Sequence, residues 1–215
     1  MAKFPNPPDV SRLRQIAPDL AQLDQSTQLW RVYFASGPFP TTWYSMRYVG
    51  PTDSRFDHHL DPRGLSGPQV RGITYVAGDP VTALAETFQS GRIIDLRRHD
   101  PWLAAFSLDL QEDPLTVLDL TGPFATRMGA SMAIGSGPRP RARAWARRLY
   151  DAYPDAHGIK YCSAMHANNP CFALNERAQW AITPQSRLVF NRALGDPCIL
   201  HRIKTAALRL GYAVL

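Results

Sequence analysis

The sequence predicts an α+β fold built round a mixed sheet, on three observations. Strand-like and helix-like segments follow one another irregularly, without the steady βαβ rhythm of a doubly wound protein. Nineteen prolines in 215 residues cut the chain into many short elements and argue against a helical bundle, because proline removes a backbone donor and fixes φ. An apolar fraction of 45% beside 20% charged residues suits one packed core, so one domain is expected at this length.

The N-terminal third mixes one helix, one strand and a long irregular stretch. Residues 1–8, polar and proline-rich, read as a loose arm. Leu13, Ile16, Leu20 and Leu23 recur at near-helical spacing, which predicts a short amphipathic helix over Ser11 to Gln22. Trp30 to Ala35 alternates and is rich in aromatic residues, as a strand is, and Gly37-Pro38-Phe39-Pro40 ends it. Thr41 to Gly72 scatters Trp43, Tyr44, Tyr48 and Phe56 among Gly, Pro and Asp, and is expected to be a long functional loop.

The middle of the chain has clearer punctuation. Ile73 to Ala77 predicts a strand; Asp79-Pro80 then supplies an N-cap and a first-turn proline for a helix over Val81 to Gln89. Strands are expected at Arg92 to Leu96, Leu103 to Leu110 and Leu115 to Leu120. Helices are expected around Phe124–Ile134 and Arg141–Tyr153, separated by Gly135-Ser136-Gly137-Pro138. Strands at Gly158 to Ser163, Cys171 to Asn175 and Leu188 to Ala193 follow, with a closing helix over Ile199 to Leu210.

The chain carries a net charge of +6, which favours anionic partners without choosing among them. Three cysteines, Cys162, Cys171 and Cys198, form no CxxC pair. Neither a disulfide framework nor structural zinc is expected, and a reducing cytoplasm fits. Met1 to Val10 lacks the basic-then-apolar pattern of a signal peptide, and no run approaches eighteen apolar residues. No membrane span is therefore expected, and a cytoplasmic location is.

Four segments together predict a site for an anionic dinucleotide: Trp30-Arg31-Val32-Tyr33, Arg55-Phe56-Asp57, Ile73 to Ala77 with Leu84-Ala85-Glu86, and Gly158 to Ser163. A guanidinium is planar and permanently charged, so Arg31 and Arg55 suit phosphate oxygens in a way that lysine does not. A carboxylate beneath a ribose stabilises a cation at its anomeric carbon, the role open to Glu86. Tyr33 or Tyr75 offers a ring for stacking, and Ser163 offers a hydroxyl to anchor an amide or a phosphate. Taken singly, each of these is an ordinary surface or core side chain. Their order is what carries the argument.

Other motifs are weaker. The basic run Arg139 to Arg148 could meet nucleic acid, but on a helix Trp145 would pack inward and the arginines would face solvent; docking of an acidic protein segment, or plain solubility, accounts for it better. His58 and His59 are neighbours on an extended segment and would point to opposite sides, so they read as loop polar residues rather than ligands of one metal. Cys162 near His166 reads as a small core residue rather than a nucleophile. No Rossmann or P-loop glycine signature is present.

Leu29-Trp30-Arg31-Val32-Tyr33, Ser54-Arg55-Phe56-Asp57, Ile73-Thr74-Tyr75-Val76-Ala77, Ala83-Leu84-Ala85-Glu86-Thr87-Phe88 and Ile159-Lys160-Tyr161-Cys162-Ser163 resemble, in that order, the RES domain. That family is named for arginine, glutamate and serine positions and is best known as the toxin half of bacterial toxin–antitoxin pairs. Phe56 stands where the family commonly has tryptophan, and no glycine precedes Arg55. The resemblance implies a fold like that of ADP-ribosyltransferases, a mixed sheet core with flanking helices. It implies an N-terminal arm and helix over residues 1–28 ahead of a catalytic domain over residues 29–215.

The implied activity consumes NAD by cleaving the nicotinamide–ribose bond, as a glycohydrolase, a phosphorylase or an ADP-ribosyltransferase, and needs no metal. Glu86, Arg31 and Tyr75 would be catalytic; Arg31, Arg55, Tyr33, Tyr75 and Ser163 would bind NAD. The implied partner is a cognate antitoxin that inserts a segment into the cleft, and DNA binding would belong to that partner. The aromatic stretch 41–56 leaves room for a homo-oligomeric contact. A different reading of the chain is a non-catalytic basic module that binds nucleic acid or an acidic protein.

Overall fold

A computed structural model describes residues 4–61, 66–111 and 113–215. Its strands are β1 (Leu20–Leu23), β2 (Gln28–Phe34), β3 (Arg47–Gly50), β4 (Gly67–Ala77), β5 (Ile93–Ile94), β6 (Pro101–Ser107), β7 (Leu115–Asp119), β8 (Gly158–Cys162), β9 (Pro170–Asn175), β10 (Leu188–Ala193) and β11 (Ala213–Val214). The helices are α1 (Val10–Arg14), α2 (Pro80–Thr87), α3 (Phe124–Arg127), α4 (Arg139–Ala152) and α5 (Pro197–Leu210). The main sheet runs β1-β7-β8-β9-β4-β2-β6-β10, with β3 joined to β4 off that path. Only β7 and β8 are parallel within it, among the described residues. The fold is α+β, as the irregular order of elements predicts.

The sheet forks at β4. One of its edges pairs continuously with β9, from Ile73↔Asn175 to Ala77↔Cys171. The opposite edge is divided: β2 meets it at Trp30↔Ala77 and β3 meets it at Arg47↔Ile73. Thr74, Tyr75 and Val76 lie between those two junctions. A cleft opens there.

Both faces of the sheet are covered. One core joins Ile73, Ala77 and Leu118 to Leu13 of α1, Leu84 of α2, Trp145 and Leu149 of α4, and Ile199 and Ile203 of α5. The other joins Leu29, Tyr33, Val76, Phe106, Val117 and Phe172 to Trp43 from the loop before β3. Helix α4 shows why an arginine-rich segment folds: Ala142, Trp145, Ala146, Leu149 and Ala152 recur at helical spacing and are buried. No helix among the described residues is long and apolar enough to cross a membrane.

Several expectations need correction. The helix expected over Ser11 to Gln22 stops at Arg14, and Leu20–Leu23 is instead the edge strand β1 paired with β7. Pro18 accounts for the break, since it lacks an amide proton and disfavours helical geometry before it. The loose arm is anchored at Phe4, which is buried and stacked on Trp145 at 6.5 Å. Arg141 and Trp145 also donate to the Phe4 and Pro5 carbonyls at 2.5 and 2.9 Å; residues 1–3 lie outside the described set.

The stretch Thr41 to Gly72 holds β3 and the first half of β4, so it is part of the sheet as well as loop; residues 62–65 lie outside the described set. Of the strand expected over Arg92 to Leu96, Ile93–Ile94 remains, paired with β11 rather than the main sheet. The helix expected around Phe124–Ile134 is split into α3 and a 3-10 turn at Met132–Ile134. Gly129, at φ +92°, takes the left-handed conformation that divides them.

His58 and His59 lie in the loop after β3, as expected, and both are buried there. His59 Nδ1 lies 2.5 Å from Asp57 Oδ1, while Asp57 Oδ2 takes the Thr52 amide, the Thr52 hydroxyl and Arg47 at 2.8–2.9 Å. Burial opposes charge on Asp57, but its bonds to His59 and Thr52 and the Arg47 charge outweigh it and hold the carboxyl well below the usual aspartate range. His58 stacks on Tyr150 at 4.6 Å and faces Glu176 at 3.5 Å. Burial opposes ionisation of Glu176 too, yet His58, the Tyr150 hydroxyl and the Gly72 amide bring it from 4.5 to about 2. These two knots fasten the loop after β3 to the sheet.

Two outcomes follow. Trp145 is fully buried, so Trp145→Ala should cost about 3–5 kcal/mol in a denaturant titration; a cost under about 1 kcal/mol would contradict the packing described. A carboxyl depressed in the folded state stabilises it above the unfolded value and ceases to do so as pH falls towards the folded one. Melting temperature should therefore fall as pH drops below the ordinary value of Glu176, 4.5, towards about 2. Glu176→Gln should lower the melting temperature at pH 7 and flatten that acid limb; identical pH slopes for both proteins would refute the assignment.

Candidate active site

The fork at β4 opens into a cleft of about 640 Å³, lined by β2 from Trp30 to Phe34, β4 from Ile73 to Ala77, the end of α2, and the Thr52–Arg55 loop. That volume lies within the roughly 300–1,000 Å³ of ligand sites. Arg31, Tyr33, Arg55, Tyr75 and Glu86 all line it. Side chains drawn from segments far apart in sequence thus meet in one cavity.

Glu86 comes from α2, whose start is set by Asp79: its side chain accepts the Thr82 amide, with Pro80 in the first turn. Thr82, Ala83, Leu84 and Ala85 are buried, which turns Glu86 towards the cleft. The residue lies in the last turn of α2, which ends at Thr87. Its Oε1 accepts from Ser163 Oγ at 2.6 Å and its Oε2 from Gln89 Nε2 at 3.3 Å. Both donors are neutral, and among the described residues no cation forms an ion pair with this carboxylate.

The arginines are also without carboxylate partners among the described residues. Arg31 Nη1 donates to the carbonyls of Trp43 and Ser45 at 3.0 and 2.6 Å. The guanidinium thereby ties the loop before β3 to β2, across the fork. Burial pulls its pKa down to about 10, which leaves it charged at neutral pH. Arg55 Nη1 donates to the Gly137 carbonyl at 2.5 Å. Burial and the neighbouring Arg139 lower its pKa, while Glu86 acts in the opposite sense.

Tyr75 is placed by the unpaired edge of β4. Its hydroxyl is buried and meets no partner in hydrogen-bonding geometry, although Ser54 and the Phe56 backbone face it. Burial, with the Asp57 charge nearby, raises its pKa, so the group stays protonated. A buried donor without an acceptor is costly in a protein interior.

Two of the expected roles change. Ser163 is buried and does not line the cavity; its Oγ accepts the Met165 and His166 amides at 3.1 and 3.0 Å and donates to Glu86. Its hydroxyl is engaged by the Glu86 carboxylate and by two backbone amides. Tyr33 lines the cleft, but its ring is stacked on Trp102 at 6.2 Å and its hydroxyl donates to Asn191 at 2.9 Å. That ring is committed to the core and is not free to stack on a base.

Residues that the motifs did not single out complete the wall: Arg47, Asp53, Gln89, Arg139 and Tyr161. Arg139 stood in the basic run, where a helical wheel turns it away from Trp145 but does not say what it meets. It pairs with Asp53 at 2.7 Å, and Arg143 pairs with the same carboxylate at 3.0 Å. Cys162 and His166 form no catalytic pair, since His166 Nδ1 is taken by Thr82 and Asn169 at 2.8 and 2.9 Å.

With the geometry in hand, comparison with known proteins becomes informative. Among solved structures, the fold is similar to the crystal structure of the M. tuberculosis MbcT–MbcA toxin–antitoxin complex, with a TM-score of 0.55. The two chains are 13% identical, over 91% of this chain and 96% of that one, a likeness of fold. No curated protein matches the sequence. A family model described as the RES domain matches residues 28–191, a span that holds β2, β4 and α2 and with them Arg31, Tyr75 and Glu86. The match takes in most of the sequence, and the chain belongs to the RES domain family.

Proposed function

We propose that this protein is an NAD-cleaving enzyme that acts as the toxin of a toxin–antitoxin pair. The observation that carries the reading is a cleft in which an acid without a cationic partner faces arginines without acidic ones. Both line the walls of one cavity, and such separation of charge has a cost that a bound ligand offsets. A dinucleotide with an anionic diphosphate and a cationic glycosyl centre matches both signs. The toxin role is drawn from the family and from the likeness to a toxin in complex with its antitoxin.

In the reaction, the bond between ribose C1′ and the nicotinamide nitrogen breaks. Its electron pair leaves with nicotinamide, which neutralises the pyridinium charge, and the ribose is left as an oxocarbenium ion. Water, phosphate or a protein side chain then adds at C1′ and gives up a proton. Glu86 would stabilise the cation, Arg31 and Arg55 would hold the diphosphate, and the Tyr75 hydroxyl would donate a hydrogen bond within the ribose–nicotinamide pocket. The arrangement works through fixed charges aimed at charge that develops in the transition state.

The alternative of a basic nucleic-acid module gains nothing from the run 139–148. Arg139 and Arg143 are paired with Asp53, Arg141 is bonded to the Phe4 carbonyl, and Arg148 lies 3.9 Å from Asp9.

The enzyme reading is tested by incubating the purified chain with NAD, with and without phosphate, and following free nicotinamide. Glu86→Gln should lower kcat by ~10²-fold or more while NAD still binds, the scale on which loss of an electrostatic group is felt. Full activity in that variant would remove Glu86 from the mechanism. Arg31→Lys should chiefly raise KM, since one ammonium cannot replace the paired donors of a guanidinium. An unaltered KM would show that the diphosphate is held elsewhere.

A further inference from the structure

The carboxylate of Glu86 is held by a chain of contacts that extends well beyond Ser163. Gln89, just past the end of α2, donates from Nε2 to the Glu86 carbonyl at 2.7 Å and to Glu86 Oε2 at 3.3 Å. Its Oε1 accepts from Arg139 Nη2 at 2.9 Å. An arginine can only donate, so the amide oxygen must face Arg139 and the NH2 group must face Glu86. Arg139 is itself set by Asp53, 2.7 Å from Nη1, and Asp53 is braced from the other side by Arg143 at 3.0 Å. Glu86, Gln89, Arg139 and Asp53 all line the cleft.

We infer that Gln89 is a positioning residue for the Glu86 carboxylate, oriented by Arg139, so that the cation at the start of α4 reaches the acid only through a neutral amide. The inference rests on the role proposed for Glu86. A guanidinium placed directly on Glu86 would orient it equally well, but its charge would offset the one needed at the ribose. The interposed amide fixes the carboxylate and leaves its charge uncompensated. Ser163 holds the other oxygen, so two neutral donors, just past the ends of β8 and α2, define one orientation. Such fixed orientation is what a preorganised electrostatic site requires.

A purely structural role for Gln89 is distinct. Its bond to the Glu86 carbonyl satisfies one of the orphan acceptors in the last turn of α2. Loss of that cap would lower stability and leave turnover of the folded enzyme intact.

The test uses the full chain with Gln89→Met, Arg139→Met and the double variant, well below their melting temperatures. It measures kcat and KM for nicotinamide release, and the Kd of an NAD analogue whose ribose ring oxygen is replaced by carbon. Gln89→Met should lower kcat by about tenfold, the equivalent of one hydrogen bond to a charged group, with KM and analogue Kd within about twofold of the parent. Arg139→Met should lower kcat by no more than that, also at unaltered KM. The double variant should match Gln89→Met, because links in series do not add.

Unchanged kcat in folded Gln89→Met would reduce the residue to a cap and overturn the inference alone. If that variant does not fold, Arg139→Met carries the test, since it removes the group that orients the amide and leaves Asp53 paired with Arg143; unchanged kcat there would overturn the inference equally. A raised KM in Arg139→Met, multiplying with Gln89→Met, would mean that Arg139 touches substrate directly, which also overturns it. A parent chain that releases no nicotinamide would instead bring down the assignment of Glu86, and this inference with it.

Discussion

The divided edge of β4 governs the geometry of this protein. A strand in mid-sheet ordinarily spends both rows of backbone hydrogen bonds on neighbours. Here one row goes to β9, while the other is shared between β2 at Ala77 and β3 at Ile73. The three residues between those junctions border a cavity rather than a strand. The cavity persists because its rim is fastened: Arg31 bonds the loop before β3 to β2, and the Asp57 and Glu176 knots hold the loop after β3 to the sheet.

Charge is distributed round that opening with some economy. Most arginines near the cleft are paired or bonded within the protein: Arg47 with Asp57, Arg139 and Arg143 with Asp53, Arg71 with Asp151. Arg31 and Arg55 have only carbonyl partners, and Glu86 has only neutral donors. Opposite charges thus lie in one cavity without cancelling. In the low-dielectric interior, charges so fixed act strongly on whatever enters between them. The net charge of +6 reflects bulk composition; the placement of three side chains is what distinguishes the site.

Much of the fold was legible in the sequence where local chemistry decides it. The Asp79-Pro80 cap, the alternation from Trp30 and the apolar stripe of α4 all produced their elements close to the expected places. Failures arose where spacing and tertiary pairing disagree. Leu20 and Leu23 fit a helical wheel with Leu13, yet they end in an edge strand because β7 offered backbone partners beyond Pro18. Thr41 to Gly72 looked like loop because its strands are short and separated, and β3 exists only by leaning on β4. His58 and His59 read only as loop polar residues because nothing local says that Asp57 and Tyr150 will bury them.

The candidate site divides in the same way. The identities of Arg31, Arg55, Tyr75 and Glu86 were readable from the chain, since residue type and order follow directly from covalent sequence. Only the tertiary structure decided that Ser163 holds Glu86, that the Tyr33 ring is spent on Trp102, and that Gln89 and Arg139 stand behind the acid. Those assignments depend on distances between side chains up to 77 positions apart. Sequence determines which chemical groups the protein owns and where short-range hydrogen bonds start and stop its helices. Which groups meet is set by packing over the whole sheet, a property of all its contacts at once.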